Sequence, residues 1–311
     1  MKKQNSNLEA LFERLTEVAA DLLPVRSAPM SEHTTFKIGG PADIFVEPRN
    51  IEELSQVMAL VHDSQVPVTV IGCGSNVLVR DGGIRGVVVS LCGMRQVLRH
   101  EDGNIVAGAG YTLKEVSEFA WQEGLTGLEL AIGIPGSLGG AVFMNAGAYG
   151  GEMCQIVTAV KAVDFKGNVH EYEAEALDFA YRHSVFHDNH EIIGEVTMKL
   201  VPGNEADIKA VMDDLTERRE AKQPLEYPSA GSTFKRPPGY YAGTLIEQTG
   251  LKGLTVGDAQ VSQKHAGFVI NRGSATADDV LGVISEVQRR VHEAHGVTLE
   301  TEVRIIGEDV K

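Results

Sequence analysis

Seven of the twenty residues from 132 to 151 are glycine. The stretch runs Ile132-Gly133-Ile134-Pro135-Gly136-Ser137-Leu138-Gly139-Gly140-Ala141 and ends Asn145-Ala146-Gly147-Ala148-Tyr149-Gly150-Gly151. Apolar, structured-looking sequence flanks it, so it does not read as a linker. Glycine lets backbone N–H groups approach a ligand closely, and clustered amides form an anion-binding concavity. The chemistry this suggests is the grip on an extended anionic cofactor, with a diphosphate as the obvious candidate. A shorter turn, Gly72-Cys73-Gly74-Ser75-Asn76, adds two small polar residues. Two such loops can hold two ends of one diphosphate-containing cofactor. No GxxxxGK[ST] string occurs, and Val77 stands where a GxGxxG loop needs its third glycine, so neither common nucleotide cradle is supported.

Other residue groups could work on a substrate. Arg182 beside Tyr181 could hold a carboxylate with its bidentate fork. Ser232 lies in the polar turn Ser229-Ala230-Gly231-Ser232-Thr233, without the GxSxG elbow of a hydrolase nucleophile. Lys235 and Arg236, just after it, would suit a phosphate. Polar and apolar residues alternate from Leu299 to Ile306, which predicts a terminal strand with Glu300, Glu302 and Arg304 on one face. The pairs His187/His190 and His292/His295 lack the carboxylates of a metalloprotease-like site, and no metal is expected.

The elements that must position these groups follow from capping and periodicity. Ser6-Asn7-Leu8-Glu9 predicts a capping box opening a helix with Leu8, Leu11, Phe12, Leu15, Val18, Ala19 and Leu22 on one face, stopped before Pro24. A strand over 42–47, an Asn50-capped helix over 51–64 and a strand over 68–71 lead into the first glycine turn, and a strand over 86–91 follows it. A strand over 105–107 and a Thr112-capped helix over 113–123 lead into the second loop, followed by strands over 156–164, 169–172 and 191–201. Beyond a hinge at Gly203-Asn204 come a helix over 205–222, strands near 255 and over 266–270, and a helix over 278–295. The expected organisation is a lead-in over 1–34, a ligand-binding α+β domain over 35–203 and a smaller α+β domain over 204–311.

Bulk properties bound the function. A formal charge of −15 argues against nucleic acid and against an anionic membrane surface. Cys73, Cys92 and Cys154 are far apart in sequence and form no CxxC pair, so reduced thiols are expected. No signal peptide or membrane span is evident, and a cytoplasmic protein is expected.

Six segments in order resemble the UDP-N-acetylenolpyruvoylglucosamine reductase family of bacterial peptidoglycan synthesis: 35–42, 72–76, 133–140, Tyr181-Arg182, Gly231-Ser232 and 299–303. The resemblance implies an α+β fold, with a two-part FAD-binding region of the vanillyl-alcohol-oxidase (PCMH-like) type and a smaller substrate domain. The resemblance also implies that FAD is held without a covalent bond, and neither loop has a histidine. Gly72, Gly74, Ser75, Asn76, Gly133, Ile134, Pro135, Gly136, Ser137, Gly139, Gly140 and Ala141 match the family's FAD-binding segments. NADPH would supply hydride, and UDP-N-acetylglucosamine enolpyruvate would receive it. Arg182 and Glu302 match the residues that stabilise the enol-type intermediate, with a raised pKa implied for Glu302, and Ser232 matches the proton donor. Tyr181, Lys235 and Arg236 match substrate-side positions. The 70 positions from Ser232 to Glu302 fit the family's compact form, and a monomer is expected. The alternatives are another flavin oxidase on the same fold and a non-catalytic, nucleotide-sensing relative; the latter would be expected to lose Ser232 or Glu302.

Overall fold

The computed structural model describes residues 2–18, 22–101 and 103–310. The chain divides into two compact units, and neither is contiguous in sequence. The first comprises residues 1–26, 43–73 and 86–217, and the second 27–42, 74–85 and 218–311. Each has its own apolar core.

In the first unit, a five-stranded sheet runs in the order Val169–Glu173, Val157–Val163, Ile192–Lys199, Asn104–Gly108, Leu98–Glu101, every pair antiparallel. A second pairing is parallel: Val68–Ile71 lies along residues 87–90, with Ile71 opposite Ser90. Two helices form where the capping residues demand them. Asn50 Oδ1 accepts the Glu53 amide at 2.8 Å and starts Ile51–Ser64. Thr112 and Glu115 close a capping box at the head of Leu113–Gln122. The apolar faces of both helices are buried, with Leu54, Val57, Met58, Leu113 and Val116 fully inaccessible.

The N-terminal helix spans Lys2–Thr16, so it starts before the expected Ser6 and position 6 lies inside it. Leu11 and Leu15 fill the first unit's core, as does Leu22; Ala19, expected on the same face, lies outside the described residues. The helix Glu205–Lys222 has the expected bounds, but its residues up to Glu217 belong to the first unit. Its start is pinned there by the Trp121 indole, which donates to the Glu205 carbonyl at 3.0 Å. Gly203 donates to Gly124 at 2.8 Å, so the expected hinge at 203–204 is tied down on the same side.

In the second unit, a four-stranded antiparallel sheet has the order Ser229–Ser232, Phe268–Asn271, Ala259–Val261, Thr255–Val256. The helix Ala277–His295 packs on it through Val280, Val283, Ile284, Val287 and Val291. Thr276 caps this helix, and Asp81 accepts the amides of Ala277 and Asp278 at 2.9 and 3.2 Å. Phe36, Ile38 and Leu78, from the two N-terminal segments, complete the core. The terminal strand is shorter than its alternation suggests. Only Arg304–Ile306 is a strand, paired in parallel with Val77–Val79, and Glu300 and Glu302 lie in the irregular run before it. Among the described residues, no helix is long and apolar enough to cross a membrane.

Candidate functional site

The strand Val68–Ile71 delivers the chain directly into Gly72. A Cβ at Gly72 would lie 2.3 Å from the Ser137 hydroxyl, so the two glycine loops touch where no side chain fits. Ser137 is buried, and its Oγ accepts the Gly140 amide at 3.3 Å, capping the short helix Leu138–Phe143. The expectation that 132–151 is a loop of bare donors needs correcting there. Leu138 and Gly139 donate to the carbonyls of Tyr111 and Ala109 at 2.8 and 2.9 Å, and Ala141 donates to Ser137 at 2.9 Å. The Ile134 amide binds Ala131 at 3.0 Å, and Pro135 has no amide hydrogen. Backbone pairing thus takes up most of the donors from 132 to 146, and among the described residues of that run Gly133, Gly136 and Ser137 have no backbone acceptor for their amides.

Asn145, at the end of this loop, is a residue the sequence reading passed over. It is 2% exposed and adopts φ +42°, a conformation that asparagine tolerates better than most residues. Its Nδ2 donates to Glu152 at 2.9 Å and to the Ala180 carbonyl at 3.2 Å, and its Oδ1 accepts the Cys154 amide at 3.0 Å. Ala180 and His183 exchange two backbone hydrogen bonds, 3.2 and 3.1 Å long, closing a tight turn with Tyr181 and Arg182 at its tip. Arg182 has φ +56°, and its guanidinium carbon lies 5.4 Å from the centre of the exposed Tyr181 ring. Asn145 therefore joins the glycine loop to the arginine turn. His183 lies 3.5 Å from Asp178 and 3.4 Å from Asp188.

In the second unit, Ser232 ends the strand Ser229–Ser232 after an irregularity in register that includes Gly231. Its side chain is exposed, but the next residue is locked. Buried Thr233 donates its amide to Gly267 at 2.8 Å, accepts the Val269 amide on Oγ1 at 3.1 Å, and accepts the Glu302 amide on its carbonyl at 2.9 Å. Ser232 and Glu302 are brought together through this backbone. Asn76 holds Glu302 from the other side, donating Nδ2 to its carbonyl at 3.2 Å and accepting the Arg304 amide at 3.0 Å. Here the side chain of Asn76 positions Glu302. Gly74, at φ +63°, packs so closely on His33 that a Cβ would lie 2.3 Å from its carbonyl oxygen. The Gly74 carbonyl accepts the Thr35 amide at 3.2 Å, and Thr35 Oγ1 donates to Ser229 at 2.7 Å. The two cations have partners: Lys235 is 3.3 Å from Glu300, and Arg236 lies 4.1 Å over the Tyr241 ring.

A UDP-N-acetylenolpyruvoylglucosamine reductase C-terminal domain model matches residues 223–306, and an FAD binding domain model matches 42–173. The UDP-N-acetylenolpyruvoylglucosamine reductase of Geobacillus kaustophilus is 48% identical over 301 residues, covering 97% of this chain and 99% of the relative. The chain belongs to the UDP-N-acetylenolpyruvoylglucosamine reductase family. The family's enzyme from Clostridium perfringens is 52% identical over 283 residues, 91% of this chain and 92% of that one. The crystal structure of the Thermus caldophilus enzyme superposes with a TM-score of 0.76 at 37% identity, covering 91% of this chain and 98% of that chain. Membership establishes an oxidoreductase built from an FAD-binding domain and a smaller substrate domain. The FAD binding domain match contains both glycine loops and ends before the Tyr181-Arg182 turn.

Proposed function

We propose that this chain reduces the enolpyruvyl ether of UDP-N-acetylglucosamine to UDP-N-acetylmuramate, using NADPH. The observation that carries the reading is the pairing of Ser232 and Glu302 through the Thr233 carbonyl in a chain of this family. The residues fit FAD in kind: Gly133, Gly136 and Ser137 offer neutral amide donors beside the side-chain-free face of Gly72, a set suited to diphosphate oxygens. Bound FAD supplies the two-electron relay that carries hydride from NADPH to the enolpyruvyl group.

The remaining chemistry belongs to side chains. Addition of hydride to the terminal enol carbon leaves negative charge on the neighbouring carbon and its carboxylate. Arg182 stabilises that charge with a fixed guanidinium. Glu302 shares in stabilising the enol-type oxygen, and Asn76 and Thr233 hold its backbone in place. Ser232 then gives its hydroxyl proton to the carbanionic carbon. A serine hydroxyl is a feeble acid at rest, but a carbanion is basic enough to take its proton. Tyr181, Lys235 and Arg236 bind the substrate, the two cations meeting the UDP diphosphate; Lys235 does so by giving up Glu300. This activity belongs to cytoplasmic synthesis of a cell-wall precursor, on which cell shape and division depend.

Ser232→Ala tests the assignment. Flavin bleaching by NADPH should persist, while product formation from the enolpyruvyl substrate falls by about 10²-fold or more. Unchanged turnover would remove Ser232 from the mechanism. A colourless preparation that takes up no added FAD would defeat the flavin reading itself.

A further inference from the structure

Two of the three cysteines, 19 positions apart in the chain, meet in the first unit. Ile71 lies opposite Ser90 in the parallel strand pair, and two residues beyond each come Cys73 and Cys92. Their sulfurs are 3.5 Å apart. The strands that lead into them run about 4.8 Å apart, and both cysteines lie just past the end of that ladder, Cys92 in the turn Leu91–Gly93. Closing the sulfurs to about 2.0 Å requires a further approach of about 1.5 Å. Both residues are half-buried, so a small oxidant can reach them, while the third cysteine, Cys154, is exposed and sits 3.7 Å from a Glu152 oxygen.

We propose that Cys73 and Cys92 form a reversible oxidative modification site, a dithiol that hydrogen peroxide converts to a disulfide and whose closure loosens the hold on FAD. The two thiols have different tasks. Cys92 is held below the ordinary thiol range, first by its hydrogen bond with Cys73 and also by the Ser90 hydroxyl and the Arg95 charge, against burial and Glu47. Cys73 is pushed up, first by the same shared hydrogen bond and then by burial. The Cys92 thiolate attacks a peroxide oxygen, breaking the O–O bond and leaving a sulfenic acid and hydroxide. The Cys73 sulfur then displaces the sulfenic hydroxyl, which departs as water with the Cys73 proton. Two thiols and one peroxide become one disulfide and two waters, and two electrons pass from sulfur to oxygen. A small dithiol reverses the step by exchange.

The link to the cofactor is one peptide bond long. Cys73 follows Gly72, whose Cα face abuts Ser137 with no room for a carbon atom. Drawing Cys73 toward the turn Leu91–Gly93 displaces Gly72 from Ser137 and disturbs both loops. This last step rests on the reading of those loops as the flavin grip.

The test uses the FAD-loaded protein treated with hydrogen peroxide, then alkylated, digested and mapped by mass spectrometry, with retained flavin measured after gel filtration. A linked Cys73–Cys92 peptide should form, about 2 Da lighter than the sum of its reduced halves. FAD binding should weaken about tenfold and recover with dithiothreitol. Cys92→Ser should keep its flavin under peroxide, and Cys154→Ser should respond like the parent. If both thiols remain alkylatable after treatment, or Cys92 proceeds to a sulfinic acid without linking, the disulfide is overturned. A linked peptide with unchanged flavin retention overturns the coupling alone. A preparation that never binds FAD instead strikes the cofactor reading, and the peptide map still decides the disulfide.

Discussion

Arg182 occupies a conformation that costs an L-residue roughly 1–2 kcal/mol. Strain of this kind persists where the surroundings over-determine it, and here the Ala180–His183 bridge and the Asn145 side chain do so. Arg182→Gly should relieve the strain but add unfolded-state entropy, leaving urea stability within about 1 kcal/mol of the parent. Its turnover should collapse; retained turnover would show that the turn, and not the guanidinium, matters. Asn145→Ala removes two side-chain donations and orphans the Cys154 amide, which should cost about 1–3 kcal/mol and lower kcat by misplacing the arginine turn. Lys235 and Glu300 are both well exposed, so their ion pair is worth about 0–1 kcal/mol. Glu300→Gln should therefore leave stability nearly unchanged while lowering the KM for the nucleotide substrate at low salt. An unaltered KM would detach Lys235 from the diphosphate. Ser232, Arg182 and Glu302 were proposed from short strings matching a family. Asn145 and Thr233 were not, because a buried side chain that bonds to backbone carbonyls or amides leaves no spacing pattern in the sequence.

The helices that support the site were read well where a capping residue and a clear apolar face coincide. Ile51–Ser64 has the expected bounds and Leu113–Gln122 ends one residue short; Glu205–Lys222 also has the expected bounds, although it is a charged helix that buries only Ile208, Met212 and Leu215. The helix Leu138–Phe143 was hidden by its two glycines, whose poor helix propensity is overridden by the Ser137 cap and by packing on the stretch after Asn104–Gly108. Alternation misled at the C-terminus, because Glu300 and Glu302 bond Lys235 and Thr233 around a single antiparallel Phe234–Thr301 bridge that extends no further. The start of Ile51–Ser64 also makes a pH prediction. Glu53 is buried against Arg49, whose hydrogen bonds hold its carboxyl below the ordinary value of 4.5 despite burial. A folded-state pKa depressed in this way stabilises the protein above the unfolded value, and the gain is lost as pH falls through the folded one. Glu53→Gln should thus cost about 1 kcal/mol or more near pH 7, a penalty that shrinks toward zero in acid. A penalty independent of pH in urea titrations would mean that Glu53 acts by packing alone.

At the scale of the whole molecule, the decisive feature is the order in which the chain visits its two cores. The sequence suggested a simple succession, because strand and helix patterns report local periodicity and not which core a segment joins. Residues 27–42 and 74–85 carry Phe36, Ile38 and Leu78 into a core otherwise made from residues after 217. A fragment comprising 218–311 alone should therefore lack cooperative thermal unfolding by circular dichroism, and adding peptides for 27–42 and 74–85 should restore part of it. Cooperative melting of the isolated fragment would mean that the borrowed residues are dispensable. The same arrangement sets a clock on biosynthesis. Leu78 leaves the ribosome more than 200 residues before Val303, the last member of its core. At about 5–20 residues per second, that apolar segment waits roughly 10–50 s for its partners. During that interval the nascent chain is a client for chaperones, and slowing translation should lower the yield of soluble protein even though the finished molecule is unchanged.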